Sequence, residues 1–253
     1  MRSDGETGRL RGFVAELRLA LGFLTILPVA PRYPADSALV ARSYGYFPLV
    51  GFLLGGCLII EDYALKFLFD PALRSIILIL SLVIITGAIH LDGVADTADA
   101  LGAGRNSERA LEVLRDSSIG TFGSIGLFFV LALKCASLAG LSGSHRAAAL
   151  WLAPGLGRWA MVATSSGLDY LRAEGAGSAL LDGPNRLALA TALTLVGMIP
   201  AIPFQAIRAG LTAAAVVLGA RLFYRRWLGG VTGDLIGAAG EIAEVAVFVA
   251  MAI

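Results

Sequence analysis

Seven long apolar stretches recur along this chain, at residues 46–60, 75–90, 121–141, 147–166, 187–204, 209–224 and 235–253. No other feature limits its folding so strongly. The hydrocarbon core of a bilayer is about 30 Å thick and offers the backbone no hydrogen-bond partner. Only helices or closed barrels satisfy the backbone there, and these runs are too long for barrel strands. The expected fold is therefore all-α: a polytopic integral membrane helical bundle with about seven transmembrane helices. A further apolar piece, 13–28, is short and interrupted by Glu16 and Arg18. It reads as an N-terminal interfacial or re-entrant helix. Composition agrees, with 57% hydrophobic and 15% charged residues, against about 45–50% and about 25% in soluble domains.

One membrane domain is expected over 1–253, since no fixed repeat or low-complexity linker divides it. Within it, 1–45 forms an N-terminal cytoplasmic or interfacial segment, 91–120 an acidic segment and 225–234 a glycine-rich loop. Residues 1–12 are polar and arginine-bearing, without the pattern of a cleavable signal. A net charge of +1 with no Lys/Arg stripe argues against nucleic acid as a partner. Cys57 and Cys135 lie inside apolar runs and read as packing residues. Small-residue faces at Gly51/Gly55, Gly233/Gly237 and Gly120, Gly123, Gly126 suit close helix packing in lipid.

Placing the acidic segment in the cytoplasm puts Arg2, Arg9, Arg11, Arg18, Arg32, Arg42, Arg105, Arg109, Arg115, Arg172, Arg186, Arg221, Arg225 and Arg226 inside. Only Lys66, Arg74, Arg146 and Arg208 remain outside, as the positive-inside rule asks.

The acidic segment begins where an apolar run ends. Asp92, Asp96 and Asp99 follow one another at offsets of four and three, which places them on one arc of a helix. Like charges so placed repel, and a cation relieves them. Carboxylate oxygens suit a hard divalent ion, and Mg²⁺ typically combines one or two of them with waters and substrate phosphates. The first expectation is a Mg²⁺-dependent phosphate-transfer site at a bilayer surface. Asp116 stands apart, beside Arg115 and before Ser117 and Ser118, and is the candidate general base towards an alcohol. His90, directly before the aspartates, is a candidate base, ligand or orienter.

A second constellation is Gly229-Gly230-Val231-Thr232-Gly233-Asp234, a glycine-rich turn that leads into a helix and can offer N–H groups to phosphate. Gly230, Thr232 and Gly233 are its candidate phosphate contacts, and Asp234 is either a helix cap or a metal ligand. Glu241 and Glu244 follow on the same helix, as site acids or as intramembrane packing polars. Lys134 and Arg158 lie inside apolar runs and need a partner: Asp116 or a bound phosphate if they serve a site, a buried ion pair or a snorkelling pose if they are structural. Arg115 and Arg42, on the same expected side, complete the basic candidates.

The runs His90-Leu91-Asp92-Gly93, Val94-Ala95-Asp96-Thr97-Ala98-Asp99 and Leu111-Glu112-Val113-Leu114-Arg115-Asp116-Ser117-Ser118-Ile119-Gly120 resemble the adenosylcobinamide-GDP ribazoletransferase family, the cobalamin (5′-phosphate) synthases of vitamin B12 assembly. Leu24-Thr25-Ile26-Leu27-Pro28, Tyr46-Phe47-Pro48-Leu49-Val50-Gly51 and Gly230-Val231-Thr232-Gly233-Asp234 agree with it. The resemblance implies a Mg²⁺-dependent enzyme of the bacterial inner membrane that faces the cytoplasm. Its reaction would join α-ribazole, or the 5′-phosphate, to adenosylcobinamide-GDP and release GMP. Partners beyond these substrates and the lipid bilayer would be a second copy of the chain or other corrinoid-assembly enzymes.

Two rivals stay open. Asp96-Thr97-Ala98-Asp99 is similar to the start of the CDP-alcohol phosphotransferase motif, although Ala100 stands where that motif has Gly. A cation transporter would instead place acids at mid-span in paired broken helices.

Overall fold

A computed structural model of the chain describes residues 3–29, 36–104, 106–116, 118–172, 176–181 and 185–253. Arg2, Arg32, Arg105 and Ser117, used above, lie outside the described residues, as do parts of the loops at 30–35, 173–175 and 182–184. The side chain of Arg9 lies outside them too.

The chain is helical nearly throughout. α1 (Ser3–Leu24) and α2 (Ser37–Ser43) lead through one 3₁₀ turn (Tyr44–Tyr46) into α3 (Phe47–Leu65). Then come α4 (Pro71–Thr86), α5 (Ile89–Gly102), α6 (Ser107–Val113), α7 (Thr121–Ala139) and α8 (Gly143–Ser165). After β1 (Asp169–Tyr170) and α9 (Ala176–Leu181) follow α10 (Leu187–Met198), α11 (Pro203–Trp227), β2 (Gly230–Val231) and α12 (Gly233–Ala252). The two strands form a single two-residue parallel bridge.

Among the described residues, four helical stretches are long and apolar enough to cross a membrane: 37–65, α7, α11 and α12. A fifth is reached if α4 and α5 are one bent span. The seven continuous spans expected from the sequence are thus revised in three places. The run 75–90 does not continue to His90, because Gly87 and Ala88 both adopt left-handed φ, 62° and 57°. Ala88 N–H bonds back to Val83 O and Gly87 N–H to Ile84 O, a Schellman ending. A left-handed Ala costs roughly 1–2 kcal/mol, and the turn it makes sets α5 at 93° to α4. The run 187–204 breaks after Met198, with Pro200 in the gap and Pro203 opening α11. At 12 residues, α10 reaches only about 18 Å. The run 147–166 does form α8, but its neighbours are protein on most sides.

α8 is the axis of the bundle. It packs against α3, α10, α11 and α12 and is buried over most of its length. Pro154 cannot donate to Leu150 O, four residues back. That freed carbonyl lies 2.6 Å from where a Cβ on Gly55 would stand, and Pro154 O lies 2.3 Å from one on Gly51. The Gly51/Gly55 face therefore lets α3 meet α8 backbone to backbone. At the far end of α3 and α8, Arg146 is 2% exposed and donates to Asp62 Oδ1 at 2.8 Å, to Ser75 Oγ and to Leu138 O. Arg74 holds the same Asp62 oxygen at 2.9 Å. The acidic helix α5 lies at the opposite end.

Candidate active site

The first turn of α12 meets the middle of α5. A Cβ on Gly93 would stand 2.6 Å from Asp234 O and 3.0 Å from Asp234 Cα, so only glycine allows this approach. The contact brings Asp234 beside the aspartates of α5. Asp96 has Asp92, Asp234 and Asp99 as charged neighbours, and Arg172 is a cation beside them. Asp92 is exposed, while Asp96 and Asp234 are half-buried. Sequence spacing puts Asp92, Asp96 and Asp99 on one arc and offers Asp234 as a cap or ligand; the fold sets Asp234 beside Asp92 and Asp96, while Asp99 turns to α7.

Asp99 is turned to another task. Its Oδ2 accepts from Gly120 N–H at 2.7 Å and its Oδ1 from Gly123 N–H at 2.9 Å. A Cβ at either glycine would fall within 2.4 Å of that carboxylate. Asp99 thus caps α7 from 21 residues away, in place of a side chain at Gly120, which offers none. The glycine series read as a packing face makes room here for a carboxylate.

Arg172 was not singled out from the sequence. Its guanidinium donates to Leu114 O and to Asp234 Oδ2. No motif surrounds it; its one signal is that Asp169-Tyr170 pairs in register with Gly230-Val231, and Leu171 N–H continues the bridge to Val231 O at 2.9 Å. The glycine-rich turn is therefore a clasp as well as a helix entry: it fixes Arg172 next to Asp234. Gly230 and Val231 are buried in it. Thr232, not Asp234, caps α12, with Oγ1 accepting from Leu235 N–H at 3.4 Å. Gly233 and Asp234 open the helix, and the Tyr170 hydroxyl stands 3.7 Å from where a Cβ on Gly233 would be.

Lys134 and Arg158 find their counter-charges in Glu241 and Glu244, and not in Asp116. Lys134 Nζ donates to Glu241 Oε2 at 2.5 Å and to Glu244 Oε1 at 2.7 Å. Arg158 Nη1 donates to Glu244 Oε2. All four side chains are at most 7% exposed. The two positive and two negative charges balance inside the protein, where an unpaired one would cost several kcal/mol. His90 lies close enough to feel Arg158, Glu244 and Lys134.

Asp116 is exposed, and Oδ1 accepts from Ser118 N–H at 3.0 Å. That bond holds its carboxyl below the usual carboxylate range. Arg115 is exposed beside it. Arg42 pairs with Glu16 at 2.8 Å, which ties α2 to α1. Among the described residues, Asp116, Arg115 and Arg42 make no side-chain hydrogen bond or ion pair with Asp92, Asp96 or Asp234.

A cavity of about 190 Å³ opens on this cluster. His90, Asp92, Tyr170, Arg172, Gly233 and Asp234 line one part of it. Among the described residues no three His, Cys, Asp or Glu side chains converge into a ready-made metal cage. A cluster of two or three carboxylates with open room beside them suits an ion that substrate phosphates complete.

A family model described as cobalamin-5-phosphate synthase matches residues 16–252. A Desulforamulus reducens protein named adenosylcobinamide-GDP ribazoletransferase is 38% identical over 237 residues, covering 91% of this chain and 93% of that protein. Proteins of the same name from Syntrophobacter fumaroxidans and a Roseiflexus species are each 37% identical, over 89% and 92% of this chain and 93% and 88% of their own lengths. No solved structure matches the chain.

Proposed function

We infer the reaction from two premises: this chain belongs to the cobalamin-5-phosphate synthase family, and its acidic residues gather around Asp96 at one end of a membrane bundle. The chain is a transferase of cobalamin biosynthesis. It moves the phosphocobinamide part of adenosylcobinamide-GDP to α-ribazole or its 5′-phosphate. A bond forms between the phosphorus next to cobinamide and a ribose hydroxyl oxygen that is free in both ribazole and its 5′-phosphate, the bond from that phosphorus to GMP breaks, and the hydroxyl gives up its proton.

The observation that carries the reading is the meeting of Asp92, Asp96 and Asp234 beside Arg172. Oxygen donors alone, from carboxylates that reinforce one another's charge, fit Mg²⁺. Bound there, Mg²⁺ would neutralise the diphosphate and the departing GMP. Phosphoryl transfer otherwise asks the protein mainly for positioning and charge. Arg172 supplies positive charge beside the carboxylates, and the N-terminus of α12 at Gly233 turns its dipole towards the anion. A carboxylate of this cluster takes the hydroxyl proton, in place of Asp116. Lys134 and Arg158, each paired with buried glutamate, hold α7, α8 and α12 together below the site.

The active end faces the cytoplasm of a bacterial inner membrane. Arg109, Arg115, Arg172, Arg221, Arg225 and Arg226 lie at the aspartate end of their elements, and Arg74 and Arg146 at the other.

The test is the nucleotide released. Purified protein in detergent, given adenosylcobinamide-GDP, α-ribazole and Mg²⁺, is expected to release GMP only when ribazole is present. Release of CMP from a CDP-lipid, with none of GMP, would instead assign the chain to the CDP-alcohol chemistry.

A further inference from the structure

The cavity above the acidic cluster has a second face of opposite character. Beside its charged lining, the cavity is lined by Phe23, Tyr44, Phe47, Met161, Leu180 and Ile236. The rings are packed into a wall: Phe23 and Phe47 lie 5.5 Å apart between centroids, and Tyr44 meets Phe47 edge to face at 4.8 Å. Tyr44 presents its ring and not its hydroxyl, which is spent on Met161 O at 2.9 Å and Ser165 Oγ at 2.7 Å.

His90 also lines this cavity. It is 5% exposed, and its Nε2 has no hydrogen-bond partner among the described residues. A buried polar atom without a partner costs roughly 1–3 kcal/mol, so its presence beside a cavity points to a ligand atom. Size narrows the choice further. About 190 Å³ is below the roughly 300–1,000 Å³ of pockets that enclose a drug-sized ligand. A corrinoid cannot enter; a bicyclic aromatic ring can.

We propose that this cavity holds the aromatic nucleoside acceptor. Its heterocycle lies against the Phe23–Tyr44–Phe47 wall, with a ring nitrogen meeting His90 Nε2. Its ribose then points a hydroxyl that is free in both the nucleoside and its 5′-phosphate at Asp92, Asp234 and Arg172, leaving the bulky donor outside. This assignment rests on the reaction proposed above and adds where the acceptor sits and what selects it.

The test is equilibrium binding of α-ribazole to the full chain in detergent, without donor or Mg²⁺. Wild type is expected to bind it saturably. Leu180→Trp, which fills the cavity from the short helix α9, should weaken binding at least tenfold. His90→Ala should do the same, with His90→Gln recovering part, while the KM for adenosylcobinamide-GDP stays within twofold in each. Phe23→Ala removes one ring of the wall and enlarges the cavity. It should raise kcat/KM for a naphthimidazole riboside relative to α-ribazole at least fivefold, which a purely structural role would not do. If Leu180→Trp does not fold, this change of preference decides. The proposal is overturned if wild type shows no saturable binding, or if the folded variants keep their affinity and preference within twofold. Saturable, His90-dependent binding in a protein that releases no GMP would support the cavity assignment and defeat the reaction.

Discussion

Arg172 stands in a polar loop with no motif around it, yet its guanidinium joins Leu114 O to the carboxylate of Asp234. It acts as both tether and local positive charge. Arg172→Ala is expected to lower kcat/KM for the donor about 10- to 100-fold, the loss of a charged hydrogen bond of roughly 1.5–3 kcal/mol. Arg172→Lys should restore part by keeping the charge. Unchanged kinetics in the alanine variant would remove Arg172 from the site. The three aspartates show the reverse lesson. Helical spacing correctly places Asp92, Asp96 and Asp99 on one arc, but spacing does not say what each meets. Asp99 is claimed by two N–H groups made reachable by glycines 21 and 24 residues later, and no pattern near Asp99 announces them.

At the scale of elements, α7, α8 and α12 are joined by the Lys134–Glu241–Glu244–Arg158 network. Glu244 serves both cations and is fully buried. Glu244→Ala should leave Arg158 without its counter-ion and destabilise the protein by about 3–5 kcal/mol. Thermal or denaturant unfolding in detergent would read this; a loss below about 1 kcal/mol would mean that Arg158 has another partner. Hydropathy told where the apolar helices lie and that Lys134 and Arg158 need partners. It could not tell that Glu241 and Glu244, 107 and 110 residues from Lys134, are those partners. Nor could it show that the run 75–90 ends in two left-handed residues, because Ala88 is no ordinary candidate for that conformation. The same run read as one span is, in the fold, a helix and the start of the acidic helix turned 93° from it.

Across the whole molecule, polar groups sit in three layers along the bundle. Asp62, Arg74 and Arg146 close one end. The Lys134–Arg158 network balances charge within it. Asp92, Asp96, Asp234 and Arg172 occupy the other end, where α5, the clasp at Gly230-Val231 and α12 converge. This last layer has carboxylates in mutual repulsion beside a cavity, and the proposed chemistry therefore belongs to it. The most direct measurement is GMP release as Mg²⁺ is titrated, with Asp92→Asn, Asp96→Asn, Asp234→Asn and Asp116→Asn compared with wild type. The cluster predicts that Asp96→Asn falls by about 100-fold or more, that Asp92→Asn and Asp234→Asn need more Mg²⁺, and that Asp116→Asn stays within about threefold. Near-normal turnover in folded Asp96→Asn, with Asp116→Asn inactive, would contradict the account.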